Sequence, residues 1–139
     1  MPRIAGPFDP KNGVYIDVFI SKPLSTYNEE DAERSKRKLS MLVDSGASRT
    51  AISPVIAQEI GLVPIGRKPL RSATGEVKAK QYHADLTCEL FVPCLYLPDL
   101  SIIEFDFGLG WRDGFLGRDF LEKVIFETNG PGRTFSITI

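Results

Sequence analysis

The sequence predicts a mainly β protein with two short helices. Three observations carry the expectation. Short runs of β-branched and aromatic residues recur along the chain. Ten prolines and twelve glycines are spread between them and punctuate them as turns. The clearest helix signal covers only about two turns.

Taken in order, residues 14–20 (VYIDVFI) are β-branched and aromatic and read as a strand. The segment at about 21–38 changes character: from Asn28 to Lys38 it holds four acids and then four bases. This predicts a charged surface loop or a short surface helix, with the change of sign able to support i,i+4 pairs if it is helical. Residues 39–43 form the next strand and run straight into Asp44. Ser53 suits a helix cap, Pro54 the first helical position and Gly61 the stop. Val55, Ile56 and Ile60 are available to pack. Residues 69–90 read as a hairpin whose turn lies at 73–76 and whose returning arm covers 77–86. Residues 100–107 alternate, with Ile103, Phe105 and Phe107 against Glu104 and Asp106. Residues 115–121 read as a strand ending at Gly117 followed by a short helix. Residues 124–126 and 134–139 flank Asn129-Gly130-Pro131-Gly132 and suggest a final hairpin.

At about 150 residues per domain, 139 residues predict one domain spanning 1–139. A hydrophobic share of 42% and a charged share of 25% are ordinary for a globular chain. Seventeen bases against eighteen acids leave a net charge of −1, so neither a strongly basic nucleic-acid binder nor an acidic tail protein is expected. A single histidine, His83, excludes a multi-His metal site within one chain, and two cysteines are too few for a disulfide framework. Strand alternation sets His83 and Cys88 on opposite faces, which argues against a metal site with Cys94 and against a Cys–His nucleophilic pair. Trp111, Arg112 and Asp113 read as a loop over the core. No stretch is long and apolar enough to span a bilayer, and the first residues lack the apolar region of a secretory signal. The expectation is a cytoplasmic protein with reduced thiols and no membrane partner.

The sharpest chemical feature is Val43-Asp44-Ser45-Gly46-Ala47: an acid at the end of an apolar strand, followed at once by a hydroxyl and a glycine. Gly46 permits a tight turn and lets backbone N–H groups approach the carboxylate. For the tripeptide alone, an aspartate that merely caps a turn is the favoured reading, because Asp-Ser-Gly is common. A second feature, Phe115-Leu116-Gly117, follows about seventy residues on, after the hairpin, and leads into a short helix.

The ordered set resembles the retropepsin-like aspartic proteases: an apolar strand ending in Asp-Thr/Ser-Gly-Ala/Ser, a flap hairpin, then two apolar residues and Gly before a short helix. Residues 48–62 look like bacterial members in particular. The resemblance covers about residues 13–139. It implies a closed β-barrel or sandwich with a flap hairpin, a catalytic Asp44, an active-site loop of Ser45, Gly46 and Ala47, and a second motif of Phe115, Leu116 and Gly117. It also implies a flap tip of Ala73, Thr74 and Gly75 closing over an extended peptide or protein substrate. Aspartic proteolysis needs two carboxylates sharing a water and one proton. The chain has a single Asp-Ser/Thr-Gly, so the dyad requires a homodimer that sets Asp44 against Asp44 of its partner. This chemistry needs no metal and no cofactor, and an acidic or mildly acidic optimum is expected.

A dimeric peptide-binding module on the same fold is the alternative, because fold does not fix function. The chain also departs from the viral pattern. There the fourth residue after the catalytic aspartate is often acidic and pairs with an arginine after the second glycine. Here that position is Ser48, which leaves Asp119 or a backbone carbonyl as partner for Arg118. The 21–38 segment, a short turn in viral members, is read as a tolerated insertion, a partner-binding loop or a self-cleavage site. Family members often interleave their termini in an intersubunit sheet, and residues 134–139 have the alternation for it.

Overall fold

A computed structural model describes residues 2–72, 75–106 and 113–139. The first strand, β1 (Arg3–Pro7), was not anticipated from its short sequence ending in Gly6 and Pro7. The next two, β2 (Tyr15–Ser21) and β3 (Arg37–Val43), pair antiparallel. Ile16, Val18 and Ile20 of β2 and Leu39 and Met41 of β3 turn into the core, as period-two alternation requires. Between them lies a short surface helix, α1 (Glu29–Ser35), the second of the two readings of the charged segment. Asn28 caps it by accepting from the Asp31 N–H at 2.8 Å, and Arg34 pairs with Glu30 one turn back. Ser35 buries its hydroxyl, which accepts from the Lys22 N–H at 2.9 Å and donates to the Ala32 carbonyl at 2.7 Å.

After the two-residue β4 (Ala51–Ile52) comes α2 (Pro54–Ile60). Ser53 caps it, and Gly61 ends it in the left-handed region at φ 83°, where a side chain would be strained. Ala57 and Ile60 are buried and Ile56 packs at the core edge. Val55 does not pack as expected. It sits in the first turn and is 61% exposed.

The long hairpin consists of β5 (Gly66–Ser72) and β6 (Gly75–Cys88). Its expected turn residues Ala73 and Thr74 lie outside the described residues. The following strand, β7 (Leu95–Glu104), starts earlier and ends sooner than the alternation suggested. Its neighbours Ile102 and Ile103 are both buried because both faces are covered. Ile102 joins the main core, while Ile103 joins a second cluster with Ala51 and Ala79. Phe107 lies outside the described residues, as do Trp111 and Arg112.

The chain ends with β8 (Gly114–Leu116), the single-turn α3 (Arg118–Leu121), and a hairpin of β9 (Ile125–Asn129) and β10 (Thr134–Thr138). Six strands, in the order β2-β3-β8-β4-β7-β6, close into a barrel through the β2–β6 pairing, and β5 extends the β6 edge outward. The remaining sheet has the order β1-β10-β9. Both edges of β10 are therefore occupied within one chain, and the edges left for any partner are those of β1 and β9.

A buried carboxylate fixes the far side of the barrel. Asp85 sits at a register shift between Ala84 and Leu86 and is 2% exposed. It accepts from the N–H groups of Leu24 (3.0 Å) and Asp99 (2.9 Å) and from the Tyr96 hydroxyl (2.6 Å). These donors satisfy it in place. Burial, then the bond to Asp85, pushes the Tyr96 hydroxyl up to about 12. Nothing in the hydropathy pattern marks Asp85 as the anchor of the Leu24 loop and of β7.

Candidate active site

The site is built where β8 passes between β3 and β4. It runs parallel to β3, with Leu42 opposite Phe115 and Val43 opposite Leu116, and antiparallel to β4, with Ala51 opposite Phe115. This arrangement brings the two sequence motifs together. Asp44, the first residue past β3, donates its N–H to the Leu116 carbonyl at 2.9 Å. Its half-buried carboxylate accepts from the Gly46 N–H at 2.9 Å. Its carbonyl accepts from the Ala47 N–H at 3.2 Å, which closes the turn. Ser45 and Gly46 are exposed and Ala47 is half-buried.

Arg118 holds this turn at two points. Its backbone N–H donates to the Ala47 carbonyl at 2.8 Å, and its guanidinium to the Ser45 carbonyl at 3.0 Å. The partner left open by Ser48 is therefore a backbone carbonyl. Asp119 is engaged elsewhere. It accepts from the Thr50 N–H through both oxygens (3.0 and 2.9 Å), from the Thr50 hydroxyl at 2.8 Å and from its own neighbour, the Phe120 N–H. The fully buried Thr50 hydroxyl in turn accepts from the Gly117 N–H at 3.2 Å.

Two glycines allow this crossing. A Cβ on Gly114 would lie 2.1 Å from the Ala51 carbonyl oxygen, and one on Gly117 would lie 2.5–2.8 Å from the backbone of Arg49. The sequence marks Gly117 through its motif and Asp119 only as a candidate partner for Arg118, whereas Asp119 holds Thr50; Gly114 and Thr50 carry no mark in the sequence. Their importance comes from what they touch across the crossing, which no periodicity reveals.

Asp44 opens onto a cleft of about 830 Å³. One wall is the Asp44 turn with Ser48 and Arg49. The other is the hairpin, through Pro69, Leu70, Arg71 and Glu76. The apolar floor is Ile103, Phe105 and Phe115, the two rings meeting edge to face at 5.9 Å. A depression of about 900 Å³ lies beyond Ser48 and Arg49, but Asp44 does not line it. Gly75 opens the returning arm of the hairpin; Ala73 and Thr74 are outside the described residues.

Other chemistry-bearing residues do not converge. His83 is exposed, Cys88 is buried and Cys94 is exposed. Burial pushes the Cys88 thiol up. Among the described residues, no three His, Cys, Asp or Glu side chains gather in a metal-holding group, and no helix is long and apolar enough to cross a membrane.

Comparison with known proteins places this geometry in a family. The model of the gag-polyprotein putative aspartyl protease family matches residues 31–123, well over half of the chain. A retropepsin-like aspartic protease from Rickettsia conorii superposes with a TM-score of 0.62 over 97% of this chain and 89% of that one. At 20% identity that likeness concerns the fold. No match was found among curated protein sequences. The matched segment carries Asp44, the hairpin and Phe115-Leu116-Gly117 in order on a closed barrel, and the chain belongs to the gag-polyprotein putative aspartyl protease family of retropepsin-like proteins.

Proposed function

We propose that the protein is a homodimeric aspartic endopeptidase whose dyad is formed by Asp44 of two subunits. The observation that carries this reading is the carboxylate of Asp44, fixed by the Gly46 N–H on a doubly clamped turn and open to the cleft beneath the hairpin. One chain supplies one such carboxylate. A two-fold axis beside the exposed Ser45 and Gly46 would supply the second.

In the dimer, two close carboxylates share a single proton, because both cannot readily ionise side by side. The ionised Asp44 takes a proton from the bound water as its oxygen attacks the scissile carbonyl. The protonated Asp44 hydrogen-bonds the carbonyl oxygen, and the amine nitrogen is protonated as the C–N bond breaks. Ser45 braces the two turns against each other, Gly46 offers backbone contacts to substrate, and Phe115, Leu116 and Gly117 support the Asp44 turn from below. The hairpin acts as the flap, with Ala73, Thr74 and Gly75 at its tip. The substrate lies extended between flap and floor and sends alternate side chains into the cleft. Residues 1–139 act as one domain.

The test compares wild type with Asp44→Asn on a diverse peptide library from acidic to neutral pH. Cuts are mapped by mass spectrometry, and the oligomer is sized at the same concentration. Cuts made only by the wild-type dimer, with rates that fall above neutral pH, support the dyad. A confirmed dimer that binds peptides but cuts none would replace this reading with the peptide-binding module.

A further inference from the structure

The hairpin carries a concentration of positive charge that the barrel does not balance. Between residues 66 and 81 stand Arg67, Lys68, Arg71, Lys78 and Lys80 against a single acid, Glu76, in a chain of net charge −1. Their placement is not random. Arg67 pairs with Lys80, Pro69 with Lys78 and Arg71 with Glu76, and the two-residue period puts all three pairs on one face. The opposite face carries Leu70 and Ala79, which pack with Ile103, and beside them the exposed Lys68 and Val77. At its Arg71 end this basic face borders the Asp44 cleft, whose lining includes Pro69, Arg71 and Glu76. Like charges directly opposite each other, as in Arg67 and Lys80, work against the ladder that holds them. Arg71 has Glu76 at 3.9 Å. Among the described residues, no carboxylate lies within 4.0 Å of Arg67, Lys78 or Lys80.

The strip continues into the cleft. Arg71 and Arg49 line the same cavity as Asp44. Arg49 donates only a long bond, 3.4 Å, to the Ser101 carbonyl, and it too lacks a carboxylate within 4.0 Å among the described residues. Cations thus run from the Asp44 cleft out along a ladder of about 14 Å, the reach of about four residues of extended peptide.

We propose that this strip is a recognition surface for an acidic polypeptide segment. Glu- and Asp-rich sequence next to the segment held in the cleft lies along Arg49, Arg71, Lys78, Arg67 and Lys80. The inference deepens the endopeptidase reading by naming its substrate class, and its binding arm stands apart from cleavage. Peptides gain affinity from charge complementarity along the strip and an on-rate that falls with salt.

The experiment titrates the full-length chain, as wild type and as Asp44→Asn, into two fluorescein-labelled peptides: one rich in Glu and Asp, and one of the same length rich in Lys. Anisotropy is followed from about 0.05 to 0.2 M NaCl. Both proteins should bind the acidic peptide at least about tenfold tighter than the basic one, a difference that shrinks with salt. Arg67→Glu with Lys78→Glu should abolish the difference. Lys11→Glu, away from the hairpin, should preserve it, and circular dichroism checks that each variant is folded. Equal affinity for the two peptides, no binding of either, or an acidic preference that survives Arg67→Glu/Lys78→Glu overturns the proposal. A single-stranded oligonucleotide of matched charge that binds tighter than the acidic peptide overturns it as well. Loss of cleavage with retained acidic binding counts against the endopeptidase reading alone.

Discussion

Replacing Thr50 by Val and by Ser separates its two contributions to the site. The residue is fully buried, its hydroxyl donates to Asp119 at 2.8 Å, and it accepts from the Gly117 N–H at 3.2 Å. Val keeps the volume and deletes both bonds. The orphaned Gly117 N–H costs about 1–3 kcal/mol. Asp119 keeps the N–H groups of Thr50 and Phe120, so its loss adds only about 1 kcal/mol. The expected destabilisation is about 2–4 kcal/mol, a sizeable part of a total of about 5–15 kcal/mol. Ser keeps both bonds and loses one methyl group, about 1 kcal/mol. Urea unfolding with an unchanged m-value measures both variants. Because Gly117 leads directly into Arg118, which holds the Ser45 and Ala47 carbonyls, Thr50→Val should also lower peptide cleavage at equal folded concentration, with Thr50→Ser near wild type. If Val proves as stable as Ser, the hydroxyl does not bridge β8 and Asp119 and the account of the crossing fails.

Gly117→Ala places a methyl group inside the backbone of Arg49, at 2.5–2.8 Å. Backbone yields less than side chains do, so a loss of about 3 kcal/mol is expected in thermal or urea unfolding. Arg118→Lys replaces a planar guanidinium with a point charge; the exposed bond to Ser45 adds little stability, so the variant should unfold within about 1 kcal/mol of wild type while its kcat falls. Tyr82 titrates near 12 rather than 10, raised first by burial and then by its bond to Glu104. The folded state therefore holds this proton more tightly. The stabilisation, about 2–3 kcal/mol, is complete below about pH 10 and lost as pH climbs to about 12. Stability measured at pH 9 and pH 11.5 should fall less in Tyr82→Phe than in wild type; an unchanged difference would remove Tyr82 from the explanation.

The legible parts of the chain are those whose cause is local. Ser53, Pro54 and Gly61 punctuate α2 at the positions the helix ends require, and Asn28 was within the segment whose charge order allowed a helix. Strands β2 and β3 were readable because one face is buried and the other is wet, and the final hairpin because Asn129-Gly130-Pro131-Gly132 marks its turn. Legibility fails where the cause is a distant strand. Ile102 and Ile103 break alternation because barrel core and cleft floor cover opposite faces of β7. Strand β1 forms because β10 offers it an edge, not because its sequence favours a strand. The site shows the same division. Asp44, Gly46 and Gly117 could be found as a motif, since a turn around a carboxylate has a short signature. Gly114, Thr50 and Asp119 hold that turn in place only because β8 is threaded between β3 and β4. The proposed chemistry is thus written in five consecutive residues, while the position of the Asp44 turn depends on contacts between residues about seventy positions apart. A substitution that spares the motif but disturbs the crossing should therefore silence the site as surely as one at Asp44.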